Sequence, residues 1–167
     1  GTNLIAEGVN GESFALTGLG DASNLLSKNV QTNSSLNSVT GLSIGASTGI
    51  NVGIASNYSD LSAVGSNVSV TRAVAVLSAS KTYDGSTSLT SGQIALTGVT
   101  VGGVTETLSY TGIPLLSDAN VISTKYVRGV TNVSDATDGS GGLASNYVLP
   151  DLTSASASNV ATVLPAT

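Results

Sequence analysis

The chain of 167 residues contains no cysteine, histidine, methionine or tryptophan. Without cysteine no disulfide can staple the fold, so each domain depends on its own core. Without histidine or cysteine there is no Ser–His pair, no thiolate nucleophile and no imidazole metal ligand. Charge is scarce too: charged residues make up 9% of the chain, while hydrophobic residues reach 40%. A disordered chain shows the reverse, low hydrophobicity with high charge. The polar surface must therefore come from Ser, Thr, Asn and Gly. Five basic residues stand against ten acidic ones, a net charge of −5. With no basic face to neutralise phosphates, nucleic acid and anionic membrane are poor partners. No uninterrupted apolar run is long enough to insert in a bilayer, and the start is not signal-like.

What is present is present twice. Ala55-Ser56-Asn57-Tyr58 recurs as Ala144-Ser145-Asn146-Tyr147, and Ser66-Asn67-Val68 as Ser158-Asn159-Val160. Upstream, Leu25-Leu26-Ser27 recurs as Leu115-Leu116-Ser117. A repeat of roughly 90 residues is the size of a whole β-sandwich domain rather than a solenoid rung. A tandem array of this kind provides reach and repeated surfaces.

The local pattern is one of strands and turns. Val68, Val70, Val74 and Val76 alternate, interrupted on that face by Arg72. Residues 93–97 and 106–111 alternate apolar with polar, and Leu108 and Tyr110 share a face. Residues 121–133 are rich in β-branched side chains and broken by Gly129, and 160–164 form a last short run. Period-two alternation between Gly, Asn, Asp and Ser clusters predicts antiparallel strands. Residues 19–28 come nearest to a helical pattern and allow one short turn.

Aligning the copies at Asn67 and Asn159 places Arg72 opposite Leu164. The expected division is therefore a first repeat at 1–72 and a second at 73–167. On this reading the second repeat is complete. The first lacks a counterpart to residues 74 to about 91, so it is expected to be cut or to borrow a strand from elsewhere. The chain reads as a fragment of a longer polypeptide, with neighbouring repeats as its partners and a stiff, linker-free junction.

Lys81-Thr82-Tyr83-Asp84-Gly85 follows an apolar strand, and Gly142-Leu143-Ala144-Ser145-Asn146-Tyr147 comes about 60 residues later. Together with Asp118-Ala119-Asn120-Val121 between them, these motifs resemble the YDG domain. That domain is a repeat of large secreted bacterial proteins, including filamentous-haemagglutinin-like adhesins. The resemblance covers 74–167 in full and 1–72 without the Tyr-Asp-Gly segment. It implies tandem immunoglobulin-like antiparallel β-sandwiches in an extracellular adhesin stalk at the bacterial surface. The alternative fold is a right-handed parallel β-helix, which requires a short rung period that the sequence does not show.

The motif residues have a structural reading. Asp84-Gly85 suits a tight turn, with glycine supplying positive φ. Tyr83 is expected to place its ring beneath the sheet with its hydroxyl near the rim. Asn57-Tyr58 and Asn146-Tyr147 sit where the chain enters a late strand, and a buried tyrosine bonded to backbone is a device of immunoglobulin-like folds. The competing role for these tyrosines is a carbohydrate-stacking surface.

The closest acidic pair, Asp135 and Asp138, lies in a Gly- and Ser-rich segment that reads as an exposed loop. Nothing in sequence near it would raise one carboxylate pKa above the other, as glycoside hydrolysis needs. Those two residues with loop carbonyls are the best calcium candidates, but the spacing lacks the EF-hand pattern. Lys28, Lys81 and Lys125 invite an intramolecular crosslink to Asn or Asp. The expectation is instead solvated ammonium groups, because buried lysine is rare. Sequons at Asn33, Asn57, Asn67 and Asn132 read as coincidental in a chain so rich in Asn and Ser.

Two functions follow as expectations. One is a non-enzymatic stalk or spacer. The other is a module that binds a glycan or a host surface protein through sandwich-end loops, the best candidates being 135–142 and 41–54.

Overall fold

The computed structural model describes residues 5–121 and 124–167. The chain is all-β: helix is confined to three-residue 3₁₀ turns, and none of the sheets closes into a barrel. One such turn, Ala22–Asn24, falls within the stretch that came nearest to a helical pattern. Two compact units, Gly1–Thr71 and Arg72–Thr167, divide one residue before the boundary expected from the alignment.

The first unit holds a three-stranded antiparallel sheet in the order β1-β2-β4, built from β1 (Ile5–Glu7), β2 (Ser13–Gly18) and β4 (Leu42–Ser47). A separate antiparallel pair joins β3 (Gln31–Ser34) to β5 (Val68–Val70). Phe14 is its one fully buried apolar side chain among the described residues.

The second unit begins with β6 (Ala73–Val74) and β7 (Val76–Thr82). Then come β8 (Ile94–Val101), β9 (Val104–Leu116) and β10 (Val127–Ser134). The unit ends with β11 (Tyr147–Val148) and β12 (Asn159–Leu164). Its main sheet runs β10-β9-β8-β7-β12. The β7–β12 pair is parallel, with Asn159 opposite Leu77 and Leu164 opposite Thr82, and β11 pairs with β6 in parallel as well. All other strand pairs are antiparallel, including the β8–β9 hairpin whose tip is Gly102-Gly103, both at positive φ. Stacked parallel rungs, as a β-helix demands, are not the pattern of these sheets.

The core of this unit takes Ala75 from the break between β6 and β7, Leu77 and Ala79 from β7, Leu96 from β8, and Leu108 and Leu116 from β9. Val127, Val130, Tyr147, Ala161 and Val163 complete it. The inward face of β7 is thus Leu77, Ala79 and Lys81, continued upstream by Ala75, while Val74 and Val76 of the alternating valine set are exposed. Leu77, the one large apolar side chain of the inward face, decides the phase. A one-residue slip would turn Leu77 outward and Val76 inward.

The same frame recurs in the two units. Ala6 faces Phe14 in the first as Leu96 faces Leu108 in the second, and Glu7–Ser13 matches Thr97–Thr107. Gly18 and Gly41 both have positive φ, as do Gly112 and Gly129. A Cβ on Gly18 or Gly112 would strike the carbonyl of the partner glycine, Gly41 O or Gly129 O, and a Cβ on Gly41 or Gly129 would strike the carbonyl of the residue just after its partner, Leu19 O or Ile113 O. Only glycine allows both the dihedral and the approach at these crossings.

Candidate functional site

Two polar constellations stand out, and both are built inward. The first recurs in each unit. The 3₁₀ turns Ala55–Asn57 and Ala144–Asn146 deliver a tyrosine toward the hairpin that opens the neighbouring sheet. Tyr147 is buried; its hydroxyl donates to Glu106 Oε2 at 2.7 Å and accepts from the Val99 amide at 3.0 Å. Tyr58 repeats this with Glu12 Oε2, and accepts from the Val9 amide at 2.9 Å. The Tyr58 ring meets Phe14 edge-on, with centroids 5.2 Å apart. Gly8 and Gly98 make room, since a Cβ on either would overlap the tyrosine hydroxyl. Burial first, then the bond to Glu106, raises the Tyr147 pKa; for Tyr58 the bond to Glu12 leads.

The expected backbone bond of these tyrosines is present, with the hydroxyl as acceptor. Their carboxylate partners, Glu12 and Glu106, were not read from the sequence. A signal existed: Glu106 lies in phase with buried Leu108, and Glu12 in phase with Phe14. Asn57 is exposed and Asn146 half-buried, and their amides donate to Ile54 and Leu143 within the turns.

The second constellation is the Lys-Thr-Tyr-Asp-Gly segment. Here the expectation of a solvated ammonium is corrected: Lys81 is 4% exposed, at the inward end of β7. Its Nζ donates to Ser88 O at 2.8 Å and to Ser86 O and Oγ at 3.2 Å, and lies 2.7 Å from Asp84 Oδ1. Asp84 also accepts from the Ser86 amide at 2.9 Å and from Ser86 Oγ at 3.0 Å. The bond from Lys81, then that from the Ser86 amide, lowers the Asp84 pKa to about 2. Gly85 supplies φ of +76°. A lysine can be buried here because the tight turn folds carbonyls over its ammonium, so desolvation is offset by bonds. Lys125 corrects the same expectation, being 1% exposed, whereas Lys28 is exposed.

Tyr83 differs from expectation as well. It is 41% exposed rather than tucked beneath the sheet, because it follows Lys81 by two residues where the strand has already given way to the turn. Its amide donates to Leu164 O at 2.8 Å, tying the turn to the end of β12.

Asp135 and Asp138 are exposed and act as loop staples. Asp135 Oδ1 accepts from the Ala144 amide at 2.8 Å. Asp138 accepts from Thr107 Oγ1 at 2.6 Å and from the Ser140 amide at 3.0 Å. Those bonds, Thr107 first, lower the Asp138 pKa to about 2. A depressed carboxylate is the opposite of a general acid. Among the described residues no group of three His, Cys, Asp or Glu side chains is placed to hold a metal ion.

Comparison of the chain with protein-family models, curated proteins and solved structures found no match.

Proposed function

We propose that the chain is a non-enzymatic repeat module of an extracellular bacterial adhesin. In this reading its units are immunoglobulin-like β-sandwiches of the YDG kind, working as a stalk or spacer among neighbouring repeats of the same polypeptide. One observation carries the proposal: the tyrosine–glutamate–glycine arrangement and the crossed glycines occur in both units. Duplication of framework devices, with sites built from inward-facing polar groups, is what selection for repeated scaffolding leaves behind. The resemblance of the Lys81–Gly85 segment and the Asn146-Tyr147 motif to YDG repeats supports the extracellular setting.

A second reading, capture of a glycan or host surface protein through end loops, is favoured by one feature. Ile50, Val52 and Ile54 stand exposed on the 41–54 segment, with Ile50 fully so. A glycan and host-protein array separates the two. The spacer reading expects no saturable binding. Saturable binding that disappears on deletion of 135–142 or on Ile50→Ser with Val52→Ser would replace it with the second.

A further inference from the structure

The first unit contains a groove where the second has a strand. In the second unit β7 lies between β8 and β12, and Leu77 and Ala79 of this strand, with Ala75 just before it, enter the core. The counterpart of β8 is β1, by the matched pairs Ala6–Phe14 and Leu96–Leu108. The counterpart of β12 is β5, by the matched Asn67-Val68 and Asn159-Val160. Among the described residues β1 pairs only with β2 and β5 only with β3. Two adjoining grooves of about 580 and 670 Å³, sharing Ile5, Leu16 and Leu36, open beside β1 and reach Val68 of β5. Ile5 is left 56% exposed at their rim.

From this we infer that the groove of the first unit is a strand-acceptor site. Its occupant is an extended segment of the β7 kind, with small apolar residues alternating around a central leucine. It pairs antiparallel to β1 and parallel to β5. The register follows from the second unit, where Leu77 faces Leu96 and Ser78 faces Ala95. The donor leucine therefore stands opposite Ala6, and the residue after it opposite Ile5. An occupant of this kind satisfies the edges of β1 and β5 that are unpaired among the described residues and closes an apolar face over Leu16 and Leu36. Backbone pairing supplies affinity and the alternating side chains supply selectivity. The assignment is independent of the spacer reading, since it rests on the two units' pairing patterns, their matched residues and the grooves beside β1.

The test uses the full chain with a copy of residues 72–90 joined directly before Gly1. That spacing reproduces the distance between β7 and β8 in the second unit and gives the donor a high effective concentration. A control carries the same copy with its leucine, the counterpart of Leu77, and the alanine two residues later both changed to Asp. Amide hydrogen exchange is read at Ala6, Glu7 and Val68–Val70, with the amides of β7 and β9 reporting that the second unit stays folded. The inference expects exchange at the outward-facing amides of β1 and β5 to slow at least tenfold with the intact copy and not with the control. Equal exchange in the unmodified, extended and control chains overturns it, as does equal slowing by intact and Asp-bearing copies. A chain that is dimeric by sedimentation and already protected at β1 also overturns it, by showing a second copy as occupant.

Discussion

Tyr147 and Glu106 are joined by a buried hydrogen bond of 2.7 Å that links the start of β11 to strand β9. The same hydroxyl accepts from Val99 on β8, so one side chain fastens three segments. Replacing it with phenylalanine keeps the ring and removes both bonds. A buried carboxylate that loses its tyrosine donor is costly, since hydrogen bonds to charged groups contribute about 1.5–3 kcal/mol. Tyr147→Phe is expected to lower the stability of the second unit by about 2–3 kcal/mol, measured by urea unfolding. In the first unit Tyr58→Phe acts at a more exposed site and should shift its transition less.

The glycine beneath the tyrosine gives a steric test. Gly98→Ala forces a methyl into the Tyr147 hydroxyl and ring. Overpacking of this kind costs about 1–3 kcal/mol. Gly92→Ala meets no atom within 4 Å and has ordinary backbone dihedrals, so it should be neutral or stabilise slightly. Equal thermal midpoints for the two variants would contradict the fastening role of the tyrosine.

Lys81 predicts an asymmetry between volume and bonding. Lys81→Met fills the same channel but leaves Ser86 O and Ser88 O without their donor. We expect a loss of about 2–3 kcal/mol in urea unfolding of the second unit, together with faster exchange of the Tyr83 amide that bonds to Leu164. A variant as stable as the parent would mean that the turn closes without its lysine.

Acid should act through Asp84 and Asp138. Both have folded pKa values near 2, below the ordinary aspartate value of 3.8. A group depressed on folding stabilises the fold above its unfolded pKa, and that contribution is lost as pH falls through the folded pKa. Stability of the second unit should therefore decline from about pH 4 toward pH 2. Asp84→Asn and Asp138→Asn should each flatten that decline in urea titrations at stepped pH. An unchanged slope in the double variant would contradict the assigned bonds.

Strand positions were largely legible because alternation is local. The runs read at 93–97, 106–111 and 160–164 overlap the strands Ile94–Val101, Val104–Leu116 and Asn159–Leu164, each of which extends beyond its run. Gly129 broke the β-branched run because the crossing with Gly112 requires a residue without Cβ. What alternation does not carry is which phase faces inward when both are apolar, as in Val74-Ala75-Val76-Leu77. It does not carry the parallel pairing of β7 with β12 either, whose members lie about eighty residues apart. The burial of Lys81 was illegible for another reason. Its solvation by Ser86 and Ser88 depends on a turn geometry that exists only once the chain is folded. Glu106 hid behind the rule that carboxylates stay outside, a rule that yields where a tyrosine donor waits.

One strand frame occurs twice, closed over a core in the second unit and, among the described residues, left unpaired beside β1 and β5 in the first. Native-state amide hydrogen exchange on the unmodified chain tests this most directly. Protection should be high and cooperative for β7, β8, β9 and β12, and at least tenfold lower for β1 and β5. Uniform protection across Ile5–Glu7, Val68–Val70 and the strands of the second unit would contradict it.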